Sequence, residues 1–233
     1  MTELDVDAVI FDVGGVFVVP DPTRVRAELA DLCDLTAVAD DAFVRAHYHG
    51  IAAYDRSFDQ PERWPAYLED YLGSLDVEVT GAILERGVAL WTTPTLGLWV
   101  HRIDAHARAL RDLAATTRLG MISNADGTIE DVLLATAVAQ VGQGDGVEVE
   151  VIVDSHVVGV TKPDPTIFPF ALEPMGLPAH RCAYVGDSFR NDVEGARAAG
   201  LTPVHLDPYG LGPDGDHLRI GALGDLRPLL ASQ

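Results

Sequence analysis

The chain has 233 residues, of which 48% are hydrophobic and 22% charged, and its formal net charge at pH 7 is -20. That length suits one large domain, or one domain carrying an insertion. The acidic surplus argues against a partner with a phosphate backbone and against an anionic membrane surface, so nucleic acid and membrane are both excluded as expected partners. A small anionic substrate would need a local positive centre to receive it.

No apolar run reaches the length of a membrane span. The opening Met1-Thr2-Glu3-Leu4-Asp5 is acidic and is not expected to be a signal peptide. Cys33 and Cys182 stand far apart without metal-ligand spacing. They are expected to be reduced thiols in a cytoplasmic protein.

In chain order, Ala8-Val9-Ile10-Phe11 reads as a buried strand, broken after Asp12-Val13 by Gly14-Gly15. Asp21-Pro22 is a helix start, with Asp as N-cap and Pro at the first helical position. From there to about Thr93 the pattern is helices and loops with little strand character. The clearest helix runs from Pro61 to Leu72, where Trp64, Leu68, Tyr71 and Leu72 share a face. Thr80 to Leu90 is a weaker helix, and Thr92-Thr93-Pro94-Thr95 reads as a hinge.

Beyond the hinge the pattern changes to strand-helix alternation, which predicts a parallel sheet covered by helices. A helix is expected from Ile103 to Ala114 with Ala107, Leu110 and Ala114 inward. Then come a strand Arg118–Ser123 and a helix from about Thr128 to Val138. The run Gly142-Gln143-Gly144-Asp145-Gly146 follows a helix and precedes a strand, the wrong order for a phosphate cradle, and is expected to be a flexible connector. A strand Glu150–Val153 follows, and Asp164-Pro165 opens a helix that Pro169 would cost one hydrogen bond. The series ends with a strand Cys182–Val185, a helix Asn191–Ala199 stopped by Gly200, a strand Pro203–Leu206 and a terminal helix Leu223–Leu230. The Gly- and Asp-rich stretch from Asp207 to Asp216 reads as a turn.

Polar residues recur at the ends of these strands. Asp12 ends one, Ser123 another and Asp187 a third, with Asp192 five residues later and Lys162 in a loop between. In open α/β sheets, ligands bind outside the carboxyl ends of the strands, so this set is placed to converge on one crevice. Two or three carboxylates at one point repel, and a hard dication such as Mg²⁺ resolves that with oxygen ligands. A hydroxyl and an ammonium would hold the remaining oxygens of a phosphoryl group. Lys162 carries particular weight: the chain has 15 arginines and this one lysine. A compact ammonium serves as a point charge on phosphate where a planar fork would not substitute.

Four segments together resemble the haloacid dehalogenase superfamily, in its branch with a helical cap inserted after the first strand. They are Phe11-Asp12-Val13-Gly14-Gly15-Val16, Ile122-Ser123-Asn124, Lys162-Pro163-Asp164, and Val185-Gly186-Asp187-Ser188 with Asn191-Asp192. The resemblance implies an α/β fold, a Rossmann-like three-layer core with a parallel sheet (residues 1–16 and 98–233) and a helical cap (17–97). It also implies a phosphatase for a small phosphorylated metabolite, with Asp12 as nucleophile. Mg²⁺ would be held by Asp12, Asp187 and the Gly14 carbonyl, with Asp192 supporting the metal or Lys162. Ser123, Asn124 and Lys162 would bind the phosphoryl group.

One position departs from the family pattern. Its phosphatases and phosphomutases usually place a second aspartate, the general acid and base, where this chain has Gly14. Such help is typically worth 10²–10⁴ in rate. His47, Tyr48 and His49 are candidate proton sources from the cap segment, although histidines on a helix more often belong to surface or core-edge packing. A non-catalytic phosphate binder and a 2-haloacid dehalogenase are the alternatives. The cap has no lysine for a phosphonatase-type Schiff base, and the dehalogenase pattern around the nucleophile is absent.

Overall fold

The computed structural model describes residues 4–60, 63–93 and 97–230. Its strands, in chain order, are β1 (Ala8–Phe11), β2 (Val18–Pro20), β3 (Trp99–Arg102), β4 (Arg118–Ser123), β5 (Ala139–Val141), β6 (Val147–Val149), β7 (Val151–Asp154), β8 (Cys182–Gly186), β9 (Thr202–Leu206) and β10 (Leu218–Ile220). The helices are α1 (Pro22–Leu29), α2 (Asp40–Arg56), α3 (Arg63–Gly73), α4 (Gly81–Thr92), α5 (Asp104–Ala114), α6 (Ile129–Ala135), the single turn α7 (Ser155–Val158), α8 (Pro169–Met175) and α9 (Gly195–Ala198). The chain divides into two compact units, one of residues 1–18 and 102–233 and the other of residues 19–101.

The first unit is built on a six-stranded sheet of order β10-β9-β8-β1-β4-β7. Every pairing in it is parallel, and the unit has the Rossmann-like α/β architecture that strand-helix alternation predicts. β1 is apolar throughout because both its faces are covered. Ala8 and Ile10 pack with Ile122, Tyr184 and the α8 residues Ala171, Leu172 and Met175. On either side of β1 lie β4 and β8. The order therefore runs outward in both directions from β1, and the crevice that binds ligands in such sheets opens at its carboxyl end.

The second unit is helical. Val25, Leu29, Phe43, Tyr67, Leu68, Tyr71, Leu72, Ile83 and Trp91 form its core. Leu68, Tyr71 and Leu72 of the anticipated α3 stripe are buried and Trp64 is half-buried. Pro61 lies outside the described residues, as do Pro94 and Thr95 of the anticipated hinge, while Thr92 still belongs to α4.

Several local expectations need correction. In α5, Leu113 is buried and Ala114 exposed, with His106, Ala107 and Leu110 completing the inward face. α6 stops at Ala135 because Ala137 turns to a positive φ of 50° and the chain re-enters a strand. Pro169 interrupts nothing. A 3₁₀ turn over Pro165–Ile167 precedes it, and it opens α8 where its missing N–H is not needed. The expected helix at Asn191 begins at Phe189 as a π-type turn before α9. The C-terminal helix is 3₁₀ in form, over Leu223–Leu229.

The glycine run at 142–146 is strapped rather than free. The Gln140 amide donates to the carbonyls of Gly142 and Gly146 and accepts from Gly146 N–H. Among the described residues no helix is long and apolar enough to cross a membrane, and both cysteines are free thiols.

Candidate active site

The site lies in the first unit, at the carboxyl ends of β1, β4 and β8. Asp12 follows β1, and its N–H still continues the ladder by donating to Val185 O at 2.8 Å. The chain then doubles back: Gly15 N–H donates to Val18 O at 2.8 Å and Phe17 N–H to Val13 O at 2.9 Å. Gly15 sits at φ 73°, a left-handed conformation that favours glycine. This tight reversal ends β1 beside the crevice and fixes the direction in which the Asp12 carboxylate leaves it.

Lys162 meets that carboxylate. Its Nζ lies 2.9 Å from Asp12 Oδ1 and 2.7 Å from Asp192 Oδ1. It also donates to the Tyr184 hydroxyl at 2.8 Å, and that hydroxyl donates to Ile122 O at 3.0 Å. All three protons of the ammonium are therefore placed, which a buried charge requires. Asn124 holds the backbone of the same residue, with Oδ1 accepting from Lys162 N at 2.8 Å and Nδ2 donating to Lys162 O at 2.9 Å. The amide expected to face a phosphoryl group is thus engaged in positioning the lysine.

Asp192 is fixed at both oxygens, since Oδ2 accepts from Ser188 N–H at 2.9 Å. Gly186 makes room for it: a β-carbon there would stand 2.2 Å from Asp192 Cγ. Asp187 joins the group, and carboxylate oxygens of Asp12, Asp187 and Asp192 lie within 4.8 Å of one another. Relative exposures are 9% for Asp12, 4% for Asp187, 1% for Asp192 and 3% for Lys162. Ser123 ends β4, buried. Among the described residues nothing hydrogen-bonds its hydroxyl, which leaves that group available to a ligand.

The electrostatics follow from this crowding. Burial, opposed by Lys162 and reinforced by Asp192 and Asp187, lifts the Asp12 carboxyl from 3.8 to about 7. Burial likewise raises Asp192, against the pull of Lys162. For Lys162, burial works against the charge, but attraction to Asp12 and Asp192 outweighs it and holds the ammonium well above its ordinary range. Three carboxylates and one ammonium leave two formal negative charges uncompensated. The donors facing one another are all oxygens, which is the chemistry of a hard divalent cation.

The family model for haloacid dehalogenase-like hydrolases matches residues 6–200. The chain belongs to the haloacid dehalogenase-like hydrolase family. It shares the family's Rossmann-like core. A phosphoserine phosphatase from Thermus thermophilus is 38% identical over 90 residues, covering 37% of this chain and 36% of that protein. Haloacid dehalogenase-like hydrolase domain-containing protein 3 from Bos taurus is 29% identical over 142 residues, covering 58% of this chain and 53% of that one. The matches thus span about a third to a half of these relatives' length. Among solved structures, a putative HAD-hydrolase from Bacillus subtilis, YfnB, bound to magnesium, superposes with a TM-score of 0.60 at 20% identity, covering 96% of this chain and 98% of that one. At that identity the likeness concerns the fold.

The contacts of Tyr184 and of the Ser188 N–H were not anticipated. Tyr184 sits inside an apolar strand, where an aromatic ordinarily signals core. Ser188 adjoins Asp187 but works through its backbone N–H, which no side-chain pattern reveals.

His47, considered as a proton source, is buried in the helical unit with Nδ1 2.9 Å from Tyr67 OH. Its ring packs among Tyr48, Tyr67 and Trp99. Tyr48 is buried as well, and His49 is half-buried.

Proposed function

We propose that this protein is a Mg²⁺-dependent phosphatase for a small phosphate monoester. The observation that carries the reading is the chain's one lysine, buried between Asp12 and Asp192, with Asp187 completing a carboxylate cluster two charges short of neutrality. A dianionic phosphate would be repelled by that surplus unless a dication accompanied it. Asp12, Asp187 and the Gly14 carbonyl are the groups that would hold Mg²⁺. The two oxygens of Asp192 are already engaged with Lys162 and Ser188 N–H, which supports a role in holding the lysine. Bound there, the ion would supply charge neutralisation for the transferring phosphoryl group.

In this reading Asp12 attacks phosphorus, expelling the alkoxide or phenoxide and forming an aspartyl-phosphate that water then hydrolyses. Lys162 neutralises charge on Asp12 and the phosphoryl oxygens, and the Ser123 hydroxyl donates to one of them. Asn124 serves by fixing the lysine's backbone. The helical unit is taken, on the family resemblance, as the cap that selects the substrate. Gly14 supplies no proton to the leaving group, so aryl phosphates, whose leaving oxygen is less basic, should turn over faster than sugar phosphates.

The test is release of phosphate from an aryl phosphate, with and without Mg²⁺, for the unmodified protein and for Asp12→Asn. Metal-dependent release that the substitution abolishes supports the reading. Release of halide from a 2-haloacid without metal would instead identify a dehalogenase. Tight binding of a beryllium fluoride phosphate mimic without turnover would identify a binder.

A further inference from the structure

His205 touches the backbone of Asp187 and His217 touches His205, and the proposed mechanism leaves both histidines unused. His205 belongs to β9, where it pairs with Gly186 across the ladder, and it is 2% exposed. Its Nε2 lies 3.1 Å from the backbone oxygen of Asp187, and its Nδ1 lies 3.2 Å from His217 Nε2. Phe189 packs against both rings, at centroid distances of 6.1 and 5.1 Å.

A carbonyl oxygen only accepts, so His205 Nε2 must carry the proton. In a neutral ring that leaves Nδ1 as acceptor, and His217 Nε2 must then be the donor. The direction of the whole chain is fixed by one carbonyl: His217 Nε2–H to His205 Nδ1, then His205 Nε2–H to Asp187 O.

The stretch from Asp207 to Asp216, expected to be a plain turn, is what holds this arrangement. Asp207 accepts from the N–H groups of Leu211 at 2.9 Å and Gly212 at 3.0 Å, and pairs with Arg219 at 3.0 Å. Gly212 lies so close over the His205 ring that a β-carbon there would stand 2.4 Å from Cε1. The loop therefore clamps His205 from above while His217 at its end orients the ring.

We propose that His205 and His217 are positioning residues that fix the Asp187 turn through its backbone carbonyl and so set the protein's affinity for a divalent cation. The proposal rests on the phosphatase reading for the identity of that cation. Residues that orient metal ligands from behind are commonly worth 10–100-fold in metal affinity.

Two measurements test it. Long-range ¹H–¹⁵N NMR of the metal-free protein reports imidazole tautomers, and both rings should show the proton on Nε2. A proton on His205 Nδ1 would overturn the relay regardless of any metal. Calorimetric titration with Mg²⁺ should then show at least a tenfold weaker association for His217→Phe. His217→Gln, whose amide can still donate to His205 Nδ1, should recover most of it. The KM for an aryl phosphate at saturating Mg²⁺ should stay within twofold in both variants. Equal affinity in all three proteins, or equal weakening in Phe and Gln variants, would refute the positioning role. If the unmodified protein binds no Mg²⁺, the phosphatase reading fails and the cation-affinity part of the proposal fails with it, while the tautomers still decide the relay.

Discussion

Replacing Asp12 by Asn should abolish turnover and at the same time make the metal-free protein more stable. The carboxyl is lifted from 3.8 to about 7, foremost by burial. Because its folded value is the higher one, the group's contribution to stability is complete below 3.8 and is lost as pH rises through about 7. At roughly 1.4 kcal/mol per pH unit, the raised value costs the folded state about 4 kcal/mol at pH 8, where Asp12 is ionised, and about 2 kcal/mol at pH 5.5, where the folded carboxyl has taken up a proton that the unfolded chain has released. Asparagine removes the charge while keeping an oxygen for Lys162 Nζ, so the variant should gain most of that amount.

The assay is scanning calorimetry in EDTA at the two pH values. The three tryptophans at 64, 91 and 99 all lie in the helical unit, so fluorescence would follow that unit alone. The stability gap should roughly double between pH 5.5 and 8. A ligand at a hundred times its Kd adds about 2.7 kcal/mol, so Mg²⁺ should narrow the gap by stabilising only the unmodified protein. A gap independent of pH, or a variant less stable at pH 8, would refute the electrostatic account.

Gly186→Ala would drive a methyl into Asp192 Cγ, 2.2 Å away; overpacking of this kind typically costs about 1–3 kcal/mol. Displacing Asp192 should also lower turnover at least a hundredfold, read by aryl phosphate hydrolysis and thermal melting. Lys162→Met leaves the buried carboxylates of Asp12 and Asp192 without their cation, a loss of about 3–5 kcal/mol, and Lys162→Arg should not restore turnover. Tyr184→Phe strips a partner from both Lys162 Nζ and Ile122 O and should cost about 1–3 kcal/mol in urea unfolding, with folding retained.

Much of the core was legible because its signals are local. β1 announces itself by four apolar residues before a glycine pair, and α3 by its periodic stripe. Lys162 stood out because it has no competitor in the composition. What escaped depends on partners distant in the chain. β2 and β3 are three and four residues long and exist only through each other. The 142–146 loop looked flexible because its glycines are visible and the straps from Gln140 are not. Asn124 is in the motif that the resemblance quotes, but its hold on the backbone of Lys162, 38 residues further along the chain, leaves no mark in that motif. Tautomeric direction in the His205–His217 pair follows from a carbonyl, and carbonyls leave no mark on residue type.

The solitary lysine also gives the molecule an unusual chemical blankness. The other 15 of its 16 lysine and arginine side chains are guanidinium groups, so apart from the amino terminus, acylating reagents find one amine, and it is 3% exposed. Slow acylation at Lys162, followed by mass spectrometry, would time how often the heart of the sheet opens to solvent, with no introduced label to disturb it.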